Sequence, residues 1–160
     1  MSGFPGWHPI VVHFPLALVI TAALLLWSTR LPRLESRAGT LSIVGTWNLC
    51  MGTAAAVLAL ASGLAAVMHL QVGVDARLAI SLHLKWAFFA TLLLVLLSVW
   101  RGAGTASDSR PSWVFLVVLS AAAASLAVTG YRGGQNVYRY GVGVHVSDKA
   151  PLATEPAPAR

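Results

Sequence analysis

Four long stretches of almost uninterrupted apolar residues dominate the chain. A helix needs about 20 apolar residues to cross a hydrocarbon core of roughly 30 Å, and the pattern predicts four such spans, over residues 9–28, 41–68, 79–100 and 112–130. Only 10% of the 160 residues are charged and 57% are hydrophobic, which leaves too little polar surface for a soluble domain of this size. The sequence therefore predicts an all-α membrane protein, a single up-down-up-down four-helix bundle within residues 1–146.

The two ends of the chain differ from this bundle. Residues 147–160 are rich in Ala and Pro and have no apolar periodicity, so they predict a disordered tail. The N-terminus has no basic residue before its apolar run, which carries Pro9 and Pro15 and exceeds the length of a signal-peptide core. The first span is therefore expected to stay in the mature protein.

The basic residues predict topology rather than nucleic-acid binding. They give a formal net charge of +6 but flank the spans, with no basic stripe interleaved with aromatic residues. The loops at 29–40 and 101–111 carry several arginines, and the positive-inside rule places such loops in the cytoplasm. Both termini are then expected in the periplasm of a bacterial inner membrane, with the lipid bilayer as the main partner.

All five histidines fall on the predicted periplasmic side of the bundle, which we call the terminal side: His8, His13, His69, His83 and His145. His13 and His83 each lie about four residues inside a span, at matching depth, on two parallel helices that are diagonal neighbours in an up-down bundle. Two imidazoles facing each other across a core can hold a haem iron from both sides. The spacing therefore predicts His13 and His83 as axial ligands of haem b.

Other polar side chains have weaker claims on the same site. His8 and His13 lie about 140° apart on a regular helix and cannot both point inward, although Pro9 gives His8 a geometry of its own. His69 and His145 are expected at the interface as supporting donors, metal ligands or anchors. The candidates for pairing with haem propionates are Arg77, Lys85 and Arg132, for which snorkelling to the lipid surface is an equally good explanation.

Small residues recur along the second and fourth spans: Gly52, Ala56, Ala59, Gly63, Ala66, Ala121, Ala124, Ser125, Ala127 and Gly130. They either make room for a planar cofactor or let helices pack closely with nothing between them, the commoner reason for such patterns.

Several function classes lack their sequence signals. No Asp or Glu occurs within a predicted span, so the carboxylate relay expected of a proton pump or cation-coupled transporter is missing. Hydrolase, metalloprotease, nucleotide and dinucleotide motifs are also missing. The single Cys50 forms neither an internal disulfide nor a Cys-rich metal site. The chain is expected to have no enzyme activity alone, while an electron-transfer role within an oxidoreductase complex stays open.

Two stretches resemble a known family. The segment HPIVVHFP at residues 8–15 and the segment GGQNVYRYGVGV at residues 133–144 are similar to the two end motifs of the domain of unknown function 2231 family of small bacterial membrane proteins. The resemblance covers about residues 8–144 and implies four spans, with His8, His13 and His83 as important residues. Family members often carry histidine where this chain has Tyr140, which argues against a ligand at that position.

The glycine-rich segment at the end of the last span predicts where that helix stops. Gly130, Gly133 and Gly134 are expected to end it, because glycine readily adopts the left-handed conformation of a helix terminus. The alternating Val and Tyr residues that follow predict a short strand or turn at the interface, either a lid over a cofactor or a lipid anchor.

Three hypotheses follow for function. The first is a haem b electron-transfer subunit that links quinone in the bilayer to a membrane or periplasmic redox partner. The second is a cofactor-free subunit that anchors a respiratory or dehydrogenase complex. The third is a non-haem metal site for copper or a similar ion, built from the terminal-side histidines with His8 and His145 taking part.

Overall fold

The computed structural model describes residues 8–68, 72–103 and 110–143, which are almost entirely helical and contain no strand. The helices in chain order are α1 (His8–Val11), α2 (His13–Ser28), a 3-10 helix (Pro32–Arg37), α3 (Ala38–Met68), α4 (Val74–Ala103) and α5 (Trp113–Tyr138). Four helical segments are long and apolar enough to cross a membrane, the first combining α1 with α2. The prediction of an all-α, four-span membrane protein is confirmed. His69, His145 and the predicted tail lie outside the described residues.

The bundle consists of two helical hairpins. Helix α2 packs most extensively against α3, and α4 against α5, while α3–α4 and α2–α5 contacts close the ring. Helices α2 and α4 are therefore diagonal, as the sequence predicts. Leucine and alanine side chains fill the centre, including Leu26, Leu49, Leu94, Leu97, Leu116 and Leu119, all at most 1% exposed.

The first span is interrupted near its start. Val12 separates α1 from α2 while keeping helical backbone angles, and its amide donates to the carbonyl of His8. Pro15 lies one turn further on and has no amide proton for the carbonyl of Val11, so one helical hydrogen bond is lost there. His8 consequently belongs to its own short helix and not to the regular spacing of α2.

Small residues of α3 allow the α2–α3 hairpin to pack closely. A β-carbon added at Gly52 would lie 2.9 Å from Val19 Cγ2 and 3.3 Å from the Val19 backbone nitrogen, and one at Gly45 would lie 2.7 Å from Leu26 Cγ. The predicted small residues of α3 from Gly52 to Ala66 are all buried. On α5, Ala121, Ala124, Ala127 and Gly130 are instead exposed. The α3 stripe therefore serves close helix packing.

Two arginines that the sequence assigns to loops connect helices at the opposite end of the bundle. Arg101 is buried in the last turn of α4, donates to Thr46 Oγ1 at 3.1 Å and to Ser42 Oγ, and lies over the Phe115 ring. Arg30 donates to the carbonyl of Pro111 and stacks 4.9 Å from the centre of the Trp113 ring. These contacts join the two hairpins on the arginine-rich side.

The last helix extends two turns beyond its predicted end. Gly130, Gly133 and Gly134 lie within α5, so the prediction that they stop the helix is wrong. Of the strand or turn expected after them, the described residues form turns at 139–140 and 142–143 and no strand. The chain leaves the helix at Gly141, whose φ of +63° is the left-handed conformation, and the Val142 amide donates to the Asn136 carbonyl. Intrahelical hydrogen bonding continues through the earlier glycines because a helix tolerates glycine at modest cost.

Candidate functional site

In the first span the structure partly buries His8, whereas it exposes His13. His8 and His83 are both partly buried at the terminal side. His13 is exposed on the outside of α2, where its Nδ1 lies 2.6 Å from the Pro9 carbonyl oxygen. His13 as a haem ligand therefore stays a prediction, and the partial burial of His8 makes His8 a second candidate to accompany His83.

His8 is held by helix α3. Its Nδ1 lies 2.9 Å from Ser62 Oγ. The Ser62 hydroxyl donates its own proton to the Ala59 carbonyl at 2.9 Å. Its oxygen is therefore the acceptor, and His8 donates from Nδ1. A β-carbon at Gly63 would come within 3.0 Å of His8 Cε1, so glycine makes room for the ring.

His83 is held in a closely similar way by helix α5. Its Nδ1 lies 3.0 Å from the backbone carbonyl oxygen of Thr129. A carbonyl can only accept, so Nδ1 must carry the proton. A β-carbon at Gly133 would lie 3.2 Å from His83 Cε1. The first span thus carries His8 against an oxygen acceptor and a glycine of α3, and α4 carries His83 against an oxygen acceptor and a glycine of α5.

The shared tautomer leaves both Nε2 atoms as lone-pair donors. Neither Nε2 has a hydrogen-bond partner in the described part of the chain, and neither is a fully buried atom. Metal-binding histidines characteristically donate their second ring N–H to a protein oxygen, which fixes the ring and strengthens the ligand nitrogen. The His8–His83 pair has this arrangement on both sides.

The pair supplies two metal-ligating side chains. Across residues 8–68, 72–103 and 110–143, no group of three or more His, Cys, Asp or Glu side chains comes close enough to hold an ion. A bare ion such as zinc usually takes about four protein donors, whereas a cofactor such as haem carries its own equatorial ligands. Two neutral imidazoles are therefore better suited to such a cofactor than to a bare ion.

The three predicted propionate partners occupy different positions. Arg77 is exposed, and its Nε donates to the Val72 carbonyl at 3.2 Å. Lys85 is exposed beside an apolar groove between α3 and α4. Arg132 is partly buried and directly precedes Gly133, the residue against His83. Of the three, Arg132 is next in sequence to a residue of the site.

Residues 5–146 match a family model described as "Predicted membrane protein (DUF2231)". The chain belongs to the DUF2231 family. No curated protein and no solved structure matches the chain. The DUF2231 match spans all four helices, and the opening segment supplies His8, whereas the closing segment supplies Gly133.

The contacts that hold His8 in this DUF2231 chain were not predicted from the sequence. On a regular helix His8 and His13 cannot share a face, and in the structure His8 is partly buried while His13 is exposed. Pro9 and Pro15 on either side of Val12 were the available signal for a break. Ser62 and Gly63 carried no sequence signal for contact with His8, because their positions depend on how α1 meets α3.

Proposed function

We propose that this DUF2231 protein is a membrane electron-transfer subunit that binds haem b through His8 and His83. The observation that carries the proposal is the pair of imidazoles with Nδ1–H held by Ser62 Oγ and the Thr129 carbonyl, leaving Nε2 available on both. A bis-histidine haem iron accepts and returns one electron and has no open position for a substrate. The sequence-based assignment of His13 stays a prediction that the same experiments test.

The protein residues hold and orient the site. Ser62 and the Thr129 carbonyl fix each ring and its tautomer, and Gly63 and Gly133 provide the space into which the rings fit. The apolar helices around the pair limit access of water, which favours electron transfer over proton-coupled side reactions.

The same proposal includes location and partners. By the positive-inside rule, the arginine-rich ends of the hairpins favour the cytoplasmic side of a bacterial inner membrane. His8 and His83 then lie near the periplasmic face, where a periplasmic or membrane redox subunit reaches them and where quinone in the bilayer supplies or accepts electrons. Large apolar side chains along all four spans, such as Leu58, Phe88 and Val117, are exposed for contact with lipid or such a subunit.

A reduced-minus-oxidised visible spectrum of the protein purified in detergent from haem-replete cells tests the proposal. We expect a sharp low-spin b-type spectrum, and a pyridine haemochrome assay should give about one haem per chain. A colourless protein would contradict haem binding. Metal analysis of that colourless protein would then separate the non-haem site, which retains copper or a similar ion, from a cofactor-free anchor subunit, which retains none.

Removing the Ser62 hydroxyl tests whether ring orientation matters. We expect Ser62→Ala to weaken haem retention about 10- to 100-fold, because His8 loses the acceptor that fixes its tautomer. The measurement is haem transfer to excess apomyoglobin, followed by absorbance. Ser81→Ala is the matched control, because the Ser81 hydroxyl bonds only to the Leu78 carbonyl of its own helix. Equal retention in the two variants would show that Ser62 has no part in the site.

A further inference from the structure

A second site lies at the terminal side between α4 and α5. A cavity of about 470 Å³ opens there, lined on α4 by Asp75, Leu78 and Leu82 and on α5 by Arg132, Gln135, Asn136 and Arg139. It lies where α4 begins and α5 ends and is also lined by Tyr140, an aromatic residue of the kind found at lipid headgroup level. This position is accessible to the polar part of a membrane lipid.

Polar groups in the cavity lack partners. Arg132 Nε and Asn136 Oδ1 are buried and have no hydrogen-bond partner, and the whole Asn136 residue is only 7% exposed. In the described residues, neither Arg132 nor Asp75 forms an ion pair, and the two do not pair with each other across the cavity. A buried polar group without a partner is unfavourable, so Arg132 Nε is available as a donor and Asn136 Oδ1 as an acceptor for a ligand. Asp75 is exposed at the rim and adds a negative charge there.

The charges are ordered by depth. Arg132 lies seven residues, about 10 Å, further into the span than Arg139, and Asp75 is at the outer end in the first turn of α4. On the α4 side, Leu78 and Leu82 form an apolar wall that continues into the bilayer. In phosphatidylethanolamine the phosphate is likewise closer to the acyl chains than the ammonium.

We propose that this cavity binds the headgroup of phosphatidylethanolamine. Arg132 donates to the phosphodiester, with Gln135 as a neighbouring amide donor, and Asp75 accepts from the ammonium. Arg139 lies over the Tyr140 ring at the outer rim, 5.8 Å from the ring centre. This assigns Arg132 a lipid phosphate instead of a haem propionate. The inference does not depend on haem, because it uses only groups that line the α4–α5 cavity.

Native mass spectrometry of delipidated protein in detergent tests the proposal. The protein is titrated with phosphatidylethanolamine or with phosphatidylcholine of the same acyl chains, which keeps the phosphate and positive charge but has no N–H donor. We expect phosphatidylethanolamine to bind about tenfold more tightly than phosphatidylcholine, because the latter cannot form the charge-assisted hydrogen bond to Asp75. We expect Arg132→Gln to bind phosphatidylethanolamine about tenfold more weakly, because it loses the charge-assisted hydrogen bond to the phosphate. Asp75→Asn should remove the preference between the two lipids.

Arg77→Gln is the control, since Arg77 is an exposed α4 arginine that does not line the cavity. It should bind phosphatidylethanolamine as the unmodified protein does, and circular dichroism should show the same helix content in all variants. Equal binding of the two lipids by the unmodified protein would overturn the proposal. Equal effects of Arg132→Gln and Arg77→Gln would also overturn it, because the arginines would then act only through general surface charge.

Discussion

Replacing either His8 or His83 with alanine is expected to reduce bound haem to less than about a tenth of the normal amount, whereas His13→Ala retains it. A bis-histidine iron that loses one axial ligand loses both its low-spin state and much of its affinity. His13 is exposed on the outside of α2, so its removal leaves the His8–His83 pair unchanged. The measurement is haem per chain by pyridine haemochrome, together with the reduced spectrum of each variant.

His13→Ala serves as the control for changing a histidine in the first span. Size-exclusion chromatography of each variant in detergent shows whether it still folds as the unmodified protein does. If His13→Ala loses the pigment and His8→Ala retains it, the sequence-based assignment of His13 is right and the proposed pair is wrong. If all three variants retain the spectrum, the ligands lie elsewhere in the chain.

Replacing Gly52 with leucine is expected to destabilise the bundle by about 3 kcal/mol, the upper part of the usual range for overpacking. The first added carbon already lies 2.9 Å from Val19 Cγ2 and 3.3 Å from the Val19 backbone nitrogen. A side chain can rotate away, but a helix backbone cannot, so α2 must separate from α3. The free energy of unfolding can be measured by steric trapping in micelles.

Gly130→Leu is the matched control for this substitution. Gly130 lies within α5, and a β-carbon there meets nothing within 4 Å. The variant should be unchanged or slightly more stable, because leucine has a higher helix propensity than glycine by up to about 1 kcal/mol. A similar loss of stability at both positions would show that leucine acts through the membrane environment and not through the α2–α3 contact.

The architecture was predictable because it depends on properties that the sequence states directly. Span length and apolar content determine which segments cross a membrane, and the short connections place successive helices side by side as antiparallel neighbours. The terminal-side location of His8 and His83 followed from the same counting. Which of His8 and His13 points inward was not predictable in this way, because regular spacing places them about 140° apart and does not say which one faces the other helices.

Contacts between distant residues were not predictable in the same way. Ser62 and Thr129 act on the two histidines through a hydroxyl and a backbone carbonyl, neither of which has a distinctive local pattern. Gly133 was expected to stop a helix, a common role for glycine, while its actual position against His83 depends on how closely α4 approaches α5. Arg101 likewise becomes a buried donor only once α3 and α4 are packed together.

The division into two hairpins determines how the separation of His8 Nε2 and His83 Nε2 can be adjusted. His8 is tied to α3 and His83 to α5, so each ring moves as part of its own hairpin. A small slide or tilt of one hairpin against the other changes the distance between the Nε2 atoms without breaking either anchoring hydrogen bond. On the arginine-rich side, Arg30 reaches from α2 across to the segment before α5. That contact limits the slide at the arginine-rich end, while the five residues that join α3 to α4 link the two hairpins at the histidine end.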